Sequence, residues 1–144
     1  TWKKDLCGEK VAIVSSHGRY VTAMGEDDDW ALRQKEELGL CGWFTQRRLK
    51  DGKITLETCH GRFVTAPETG TTRSNWMLGQ QRRLGSCRQF EVIDLEGEEV
   101  AFKACSGNVV TAGYDGVGWE DKLAWSLVAE TEDILDWERF TMEP

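Results

Sequence analysis

Residues 11–23, Val-Ala-Ile-Val-Ser-Ser-His-Gly-Arg-Tyr-Val-Thr-Ala, return twice more along this chain. The second copy is residues 54–66, Ile-Thr-Leu-Glu-Thr-Cys-His-Gly-Arg-Phe-Val-Thr-Ala, and the third is residues 100–112, Val-Ala-Phe-Lys-Ala-Cys-Ser-Gly-Asn-Val-Val-Thr-Ala. Each copy alternates apolar and polar residues, turns at a glycine and resumes with a β-branched or aromatic run, which is typical of a β-hairpin. We expect the glycine to adopt a positive φ, because it has no Cβ to clash there.

The repeat extends beyond the hairpin, since a Trp-x-Leu strand follows each copy at Trp30, Trp76 and Trp125. The units are repeat 1 (residues 11–53), repeat 2 (54–99) and repeat 3 (100–144), each with room for about four short strands. Such units cannot bury an apolar face alone, so the three must share one core. We therefore predict one all-β domain over residues 1–144, a β-trefoil in which six strands close into a barrel and three hairpins cap it. A β-sandwich would not explain three repeats.

Composition narrows the possible partners. The chain has 144 residues, of which 40% are hydrophobic and 30% charged, as in ordinary soluble globular proteins. Its net charge is −7, so nucleic acid is a poor partner. No apolar run approaches the ~20 residues that insertion into a membrane requires. Because the chain begins at Thr1 and not Met, an excised domain of a larger protein stays open.

Five cysteines, an odd number, are spread along the chain: Cys7, Cys41, Cys59, Cys87 and Cys105. All but the first fall at repeat-equivalent places, so a disulfide near the threefold axis is possible. We expect instead small buried thiols in a reducing, cytoplasmic compartment. Their spacing matches no zinc pattern, and we expect no metal and no cofactor.

Residues 16–23 and 60–66, with Phe44-Thr45 leading into Ile54, resemble the fascin-like branch of the β-trefoils. The resemblance covers nearly the whole chain as one module, and fascins themselves resemble tandem arrays of such modules. It implies a non-enzymatic binding module, with actin-filament cross-linking as the best-known activity and carbohydrate recognition common among other trefoils. The third copy departs from the motif, with Ser-Gly-Asn at residues 106–108. Ricin-type lectins resemble one another in a Gln-x-Trp strand that is absent here, so the sequence does not support a sugar site of that kind.

Actin, or another cytoskeletal protein, is the first-choice partner from sequence. Actin filaments are acidic, so a basic surface would be the contact. The residues predicted to form it are Lys35, Arg47, Lys50, Arg82, Arg83 and Arg88. The alternative reading is a dispersed, solvated set of charges.

A glycan is the alternative partner, through the Gly-rich loop at residues 113–121. An exposed aromatic ring flanked by carboxylates can stack on a sugar while the acids bond its hydroxyls. The residues predicted for this site are Tyr114, Asp115, Trp119, Glu120 and Asp121. Alternatively, Trp119 folds back over the end of the barrel. The loop lacks the spacing of a twelve-residue calcium-binding loop.

The other aromatic residues are interpreted as structural. The tryptophans that recur in the repeats, with Trp43 and Trp137, are predicted to fill core or cap space. His17 and His60, beside turn glycines, are also predicted to be structural. The next arginine in each motif, Arg19 or Arg62, is predicted either to anchor its turn or to reach a partner.

We predict no enzymatic activity. Cys59 and His60 are strand neighbours that point to opposite faces, and no third group is placed to orient a base.

Overall fold

The computed structural model describes residues 9–82, 86–116, 119 and 123–144. These residues form short strands and single 3₁₀ turns. The strands are β1 (Glu9–Ser15), β2 (Tyr20–Ala23), β3 (Leu32–Lys35), β4 (Trp43–Arg48), β5 (Ile54–Glu57), β6 (Phe63–Thr65), β7 (Gly79–Gln81), β8 (Glu91–Asp94), β9 (Glu99–Lys103), β10 (Val109–Ala112), β11 (Leu127–Thr131) and β12 (Phe140–Glu143). Within the described ranges, no helix has the length and apolar character to cross a bilayer.

Six strands close into a barrel. Strand β1 pairs with β4 and β12, β4 pairs with β5, and β9 pairs with β8 and β12. The ring closes between β5 and β8, where Ile54 and Phe90 exchange two backbone hydrogen bonds of 2.9 Å. The all-β prediction of a β-trefoil with about twelve strands is confirmed.

Three hairpins, β2–β3, β6–β7 and β10–β11, cap one end of this barrel. Bridges between Ala31 and Gly79 and between Met77 and Val128 join neighbouring hairpins. A buried glutamine strengthens one of these contacts, because Gln80 Nε2 donates to the Trp30 carbonyl at 3.1 Å. The cap therefore holds the repeats together as well as covering the core.

The core lies on the pseudo-threefold axis and is apolar. Phe44, Phe90 and Phe140, one from each repeat, are almost completely buried there. The prediction that Trp43 and Trp137 belong to the core is wrong. Strand alternation turns Phe44 inward and Trp43 outward, and Trp137 lies on a 3₁₀ turn with 36% of its surface exposed.

The prediction for the hairpin glycines is confirmed. Gly18, Gly61 and Gly107 have φ values of +75°, +73° and +91°. Each closes the turn after the first strand of its repeat, in a conformation that a Cβ would disfavour. The Gly residue is therefore the part of the motif that shapes the turn in all three copies.

The expectation of free thiols is wrong for the cysteines that the structure describes. Disulfide bonds join Cys41 to Cys59 and Cys87 to Cys105, with Cα atoms 5.1 and 4.9 Å apart. The first bond crosses the junction of repeats 1 and 2, and the second crosses the junction of repeats 2 and 3. Each bond joins the cysteine before the core phenylalanine of one repeat to the hairpin cysteine of the next, so the pseudo-symmetry relates the two bonds to each other. Cys7 lies outside the described residues.

Candidate functional site

The junction of repeats 3 and 1 departs from the other two. Cys41, Cys87 and Trp137 are equivalent, since each stands three residues before the core phenylalanine of its repeat. Likewise, Ser16 takes the place that a bonded cysteine holds in the other hairpins. The third junction therefore carries a tryptophan and a serine where the other two carry a disulfide bond.

Aromatic rings cluster at this third junction, and we call His17, Tyr114, Trp125 and Trp137 the aromatic platform. The Trp137 ring centroid lies 5.0 Å from that of His17 and 5.7 Å from that of Tyr114. The Trp125 ring centroid lies 5.2 Å from that of Tyr114 and 5.7 Å from that of His17. Tyr114 is 42% exposed and Trp137 is 36% exposed, so two large rings face solvent side by side. Sequence reasoning predicted Tyr114 but missed Trp137.

Trp119 is not an exposed ligand-binding ring. It is only 8% exposed and lies 6.1 Å from Trp137, beneath the platform. The Arg73 guanidinium covers its other side at 4.1 Å and is held there by Glu130 at 2.7 Å. The alternative reading, in which Trp119 folds back onto the barrel, describes the structure. Asp115 is exposed, whereas Glu120 and Asp121 lie outside the described residues.

A buried carboxylate positions Trp137. Glu138 is 5% exposed and accepts a hydrogen bond of 2.6 Å from the Thr111 hydroxyl on β10. Its other oxygen accepts from the Leu135 backbone N–H at 2.7 Å. Because these bonds tie the turn to the neighbouring hairpin, Trp137 is presented on a fixed support and not on a free loop.

The His-Gly-Arg motif is an inter-repeat clamp. In repeat 2, His60 packs edge-on against Trp30 of repeat 1 at 5.4 Å, and the Arg62 guanidinium stacks 3.7 Å above the same ring. In repeat 1, Arg19 stacks on Trp125 of repeat 3 at 3.6 Å. Both histidines also contact a backbone carbonyl of the preceding repeat, at 3.1 and 3.3 Å. The structural interpretation of the histidines therefore matches their contacts, and the arginines belong to the same clamp.

Two of the tryptophans in these clamps have an unusual backbone conformation. Trp30 and Trp125 adopt left-handed φ values of +57° and +55°, which a residue with a bulky side chain rarely does. Trp76, the equivalent residue of repeat 2, is not among the residues with positive φ. Among the three repeat tryptophans, the left-handed conformation occurs at the two that contact both an arginine and a histidine of the motif.

Replacing Arg62 with Ala is expected to lower the free energy of unfolding by about 1 kcal/mol, because the stacked cation also shields the Trp30 ring. Urea unfolding at neutral pH measures this. Arg82→Ala, at an exposed position after β7, is the matched control and should change the value by less than about 0.5 kcal/mol. Equal effects of the two substitutions would contradict the clamp.

Arg33 pairs with Asp28 and also connects the β2–β3 hairpin to the edge of the platform. Arg33 contacts Asp28 at 2.8 Å and donates to the Ala124 carbonyl, next to Trp125, at 3.2 Å. The hydrogen bond and charge of Arg33 hold the pKa of Asp28 below its ordinary value of 3.8. The charged form of Asp28 thus stabilises the folded state.

The stabilisation by Asp28 depends on pH in a defined direction. Because the folded-state pKa is depressed, the contribution is present above about pH 4 and is lost as pH falls through the folded value. We expect Asp28→Asn to lower the unfolding free energy at pH 7 by less than about 1 kcal/mol, since solvent partly screens this pair, in which the Asp28 side chain is 36% exposed. The difference between the variant and the wild type should shrink progressively as pH falls below about 4. A constant difference between pH 7 and pH 2, measured by urea unfolding, would contradict this assignment.

The basic residues predicted to contact actin lie on separate elements. Lys35 ends β3 on the cap and lines a groove of about 600 Å³ together with Asp28, Glu36 and Glu37. Its surroundings are therefore mixed in charge. Lys50 lies at the other end of the molecule, in the turn between β4 and β5.

Two of the remaining basic residues, Arg47 and Arg88, contact neighbouring side chains. Arg47 lies 3.7 Å from Glu57, and the Arg88 guanidinium covers the Phe63 ring at 4.8 Å. Arg82 is exposed after β7, and Arg83 lies outside the described residues. The described members are distributed over both ends of the barrel, and the predicted contact surface stays a prediction.

One group of potential metal ligands occurs among the described residues. Single ligand atoms of Cys41, Cys59 and His60 lie within 4.8 Å of one another. A cysteine binds metal as a thiolate, and both sulfurs are here shared in a disulfide bond. In its oxidised form this group therefore does not offer a metal site.

Comparison with known proteins identifies the fold. No protein-family model and no curated protein matches the chain. Among solved structures, the designed threefold-symmetric protein ThreeFoil is 15% identical, with a TM-score of 0.75 over 94% of this chain and 98% of its own. The Macrolepiota procera ricin B-like lectin in complex with lactose is 12% identical, with a TM-score of 0.74 over 99% of each chain.

A further similar structure is SeviL bound to the asialo-GM1 saccharide, which is 9% identical, with a TM-score of 0.71 over 94% of this chain and 96% of its own. At these identities the likeness shows a β-trefoil. It does not show membership of the fascin-like branch.

Proposed function

We propose that this protein is a non-enzymatic carbohydrate-binding module and that the aromatic platform is its binding surface. The observation that carries the proposal is the pair of exposed rings, Tyr114 and Trp137, held 5.7 Å apart on a rigid support. The apolar C–H face of a pyranose stacks on such rings, and little side-chain entropy is lost because the rings are already packed.

Polar groups are available beside the rings. Ser16, Asp115 and Asp136 are exposed and adjacent in sequence to His17, Tyr114 and Trp137, respectively. A hydroxyl and two carboxylates are suitable partners for sugar hydroxyls. The acidic side chains favour a neutral glycan over a sialylated or sulfated one, because they would repel an anion.

The similar structures that hold lactose and a ganglioside saccharide support the class of ligand. The platform does not need the Gln-x-Trp strand of ricin-type lectins. It is built at the junction where Trp137 takes the position that a disulfide-bonded cysteine has at the other two junctions. Since disulfide bonds occupy the other two junctions, we infer one such platform in the domain. Binding should therefore be monovalent unless the domain is linked to other copies.

The actin hypothesis lacks comparable support. The described basic residues do not form one surface, and two of them contact Glu57 and Phe63. Actin binding stays a prediction that the same experiment can test.

The test is a glycan array with the fluorescently labelled protein, followed by titration calorimetry of the best neutral glycan. Binding should be saturable, with a stoichiometry of one glycan per chain. An actin-filament co-sedimentation assay at two salt concentrations should show no saturable pelleting. If the folded protein binds no glycan but pellets with filaments, the actin hypothesis would replace the carbohydrate proposal.

The disulfide bonds also bear on the cellular compartment in which the protein works. Disulfides persist in oxidising environments and are rare in the cytosol, so we propose that the module works in an oxidising compartment. The cytoplasmic location expected from sequence has not been tested. Mass spectrometry of alkylated protein taken directly from its source would show which thiols are free.

A further inference from the structure

The barrel end opposite the cap opens into a cavity of about 750 Å³, which we call the mouth. It is lined by β4, the starts of β1 and β9, and the ends of β8 and β12. Five carboxylates and no Lys, Arg or His occur among the described residues that line it. The carboxylates are Glu9, Asp94, Glu98, Glu99 and Glu143.

Strand geometry turns two of these carboxylates toward the barrel axis. Glu9 is two residues from buried Val11 on β1 and pairs directly with Gln46 on β4. Asp94 pairs with buried Val100 on β9, which places the two side chains on the same face. The mouth is therefore an acidic continuation of the barrel interior and not only an acidic outer surface.

Gln46 forms part of the wall at the mouth end of the core. It has 0% exposure and lines the cavity. Neither Nε2 nor Oε1 of its amide has a hydrogen-bond partner among the described residues. By contrast, the buried amides of Gln34 and Gln80 both donate through Nε2 to backbone carbonyls. Gln46 is thus an unusually poorly satisfied buried side chain.

The other repeats show that this layer does not require a polar residue. Two positions after Phe44 stands Gln46, whereas two positions after Phe90 and Phe140 stand Val92 and Met142, which pack against the core. A buried amide without partners destabilises the folded state. A function in binding would explain why repeat 1 carries an amide where its siblings carry apolar side chains.

We propose that the mouth binds a basic peptide segment, with an Arg or Lys side chain among the carboxylates and a peptide group against Gln46. Carboxylates accept charge-assisted hydrogen bonds from guanidinium or ammonium groups. Because the Gln46 side chain is 0% exposed, binding requires its amide to turn into the cavity, where Oε1 accepts an N–H and Nε2 donates to a carbonyl of the peptide. One rim carboxylate, Glu99, is already shared with Arg139 at 3.2 Å, and the other four have no ion pair with any residue that the structure describes.

Size and geometry favour a peptide over a metal ion. At about 750 Å³, the cavity is in the range of sites for molecules of several residues. Among the described residues, no three carboxylates at the mouth bring oxygen atoms within 4.8 Å of one another, as a preformed cation site would require. This inference is independent of glycan binding, because it uses other residues at another part of the molecule.

The test is titration calorimetry with a capped Gly-Arg-Gly-Arg-Gly peptide, and with the same peptide carrying citrulline in place of arginine. The arginine peptide should bind, the citrulline peptide should not, and affinity should fall about ten-fold between 20 and 200 mM salt. Gln46→Leu should weaken binding at least ten-fold and raise the midpoint of thermal unfolding by about 3 °C, since the unsatisfied amide is removed.

Two further double variants test whether binding depends on the carboxylates at the mouth or only on the negative charge of the whole protein. Neither variant changes a core residue. Glu98→Gln with Glu143→Gln, both at exposed positions on the rim, should weaken peptide binding at least ten-fold. Glu132→Gln with Asp133→Asn removes the same charge from an exposed turn after β11 and should leave binding within two-fold of wild type.

Several results would overturn the proposal. These are no binding of the arginine peptide by folded protein, equal loss in the rim and control variants, or binding that Gln46→Leu leaves intact. Calcium chloride that binds more tightly than the peptide and displaces it would assign the mouth to a metal ion instead. A glycan array run on Gln46→Leu should match wild type, so failure here is distinguishable from failure of the carbohydrate proposal.

Discussion

Replacing Cys41 and Cys59 together with serine is expected to lower the free energy of unfolding by about 3 kcal/mol. The bond spans 18 residues of sequence and joins the 3₁₀ turn before β4 of repeat 1 to the first hairpin of repeat 2. Closing a loop of this length restricts the unfolded chain, which accounts for most of the effect. Since such domains are stable by about 5–15 kcal/mol, the loss is a large fraction of the total.

Reductant provides the internal control for this prediction. The loops closed by the two bonds do not overlap, so their contributions should add approximately. Reduced wild type should lose about 6 kcal/mol, whereas the Cys41→Ser/Cys59→Ser variant should lose only about 3 kcal/mol on reduction. Guanidinium unfolding with and without reductant measures all four values. Wild-type stability that does not respond to reductant, with thiol titration showing free cysteines, would contradict both disulfide bonds.

The Trp137→Ala variant is expected to weaken glycan binding by about 30-fold, which corresponds to about 2 kcal/mol for a stacked tryptophan at the centre of a binding surface. The indole packs on His17 and lies beside Tyr114, so its removal takes away one of the two exposed rings. Calorimetry with the best glycan from the array measures the change. The fold should persist, because the side chain is outside the core.

Controls for Trp137 use the pseudo-symmetry of the molecule. Leu40 is 82% exposed beside the disulfide at the corresponding junction of repeats 1 and 2, and Leu40→Ala should leave the affinity within two-fold. Tyr114→Phe should retain stacking and lose only bonds made by the hydroxyl, whereas Tyr114→Ala should cost about ten-fold in affinity. If Trp137→Ala binds glycan with an affinity within two-fold of wild type, the platform is not the glycan-binding surface.

The three junctions together suggest how the repeats have diverged. Two junctions carry disulfide bonds, and the third carries Trp137 and Ser16 with the aromatic platform. His-Gly-Arg clamps hold the third junction and the junction of repeats 1 and 2, through Trp125 and Trp30. Stability can thus be supplied at one junction by a covalent bond and at another by ring packing, which leaves surface for a ligand.

Sequence reasoning succeeded where a pattern recurred within the chain. Strand alternation, the three turn glycines and the spacing of the units predicted the trefoil, because local backbone preferences repeat with the sequence. It failed where a feature depends on contacts between repeats. Trp137 looked like core because it precedes Phe140, yet it lies on the surface at the third junction.

The sequence by itself determined the all-β trefoil and the positive φ of the hairpin glycines, since these depend on local propensity and on the period of the chain. Only the tertiary structure decided that four cysteines pair, that Trp119 is covered by Arg73, and that Tyr114 meets Trp137. The physical reason is distance along the chain. Closing a barrel brings together side chains from different repeats, and which of them are buried or exposed follows from that packing.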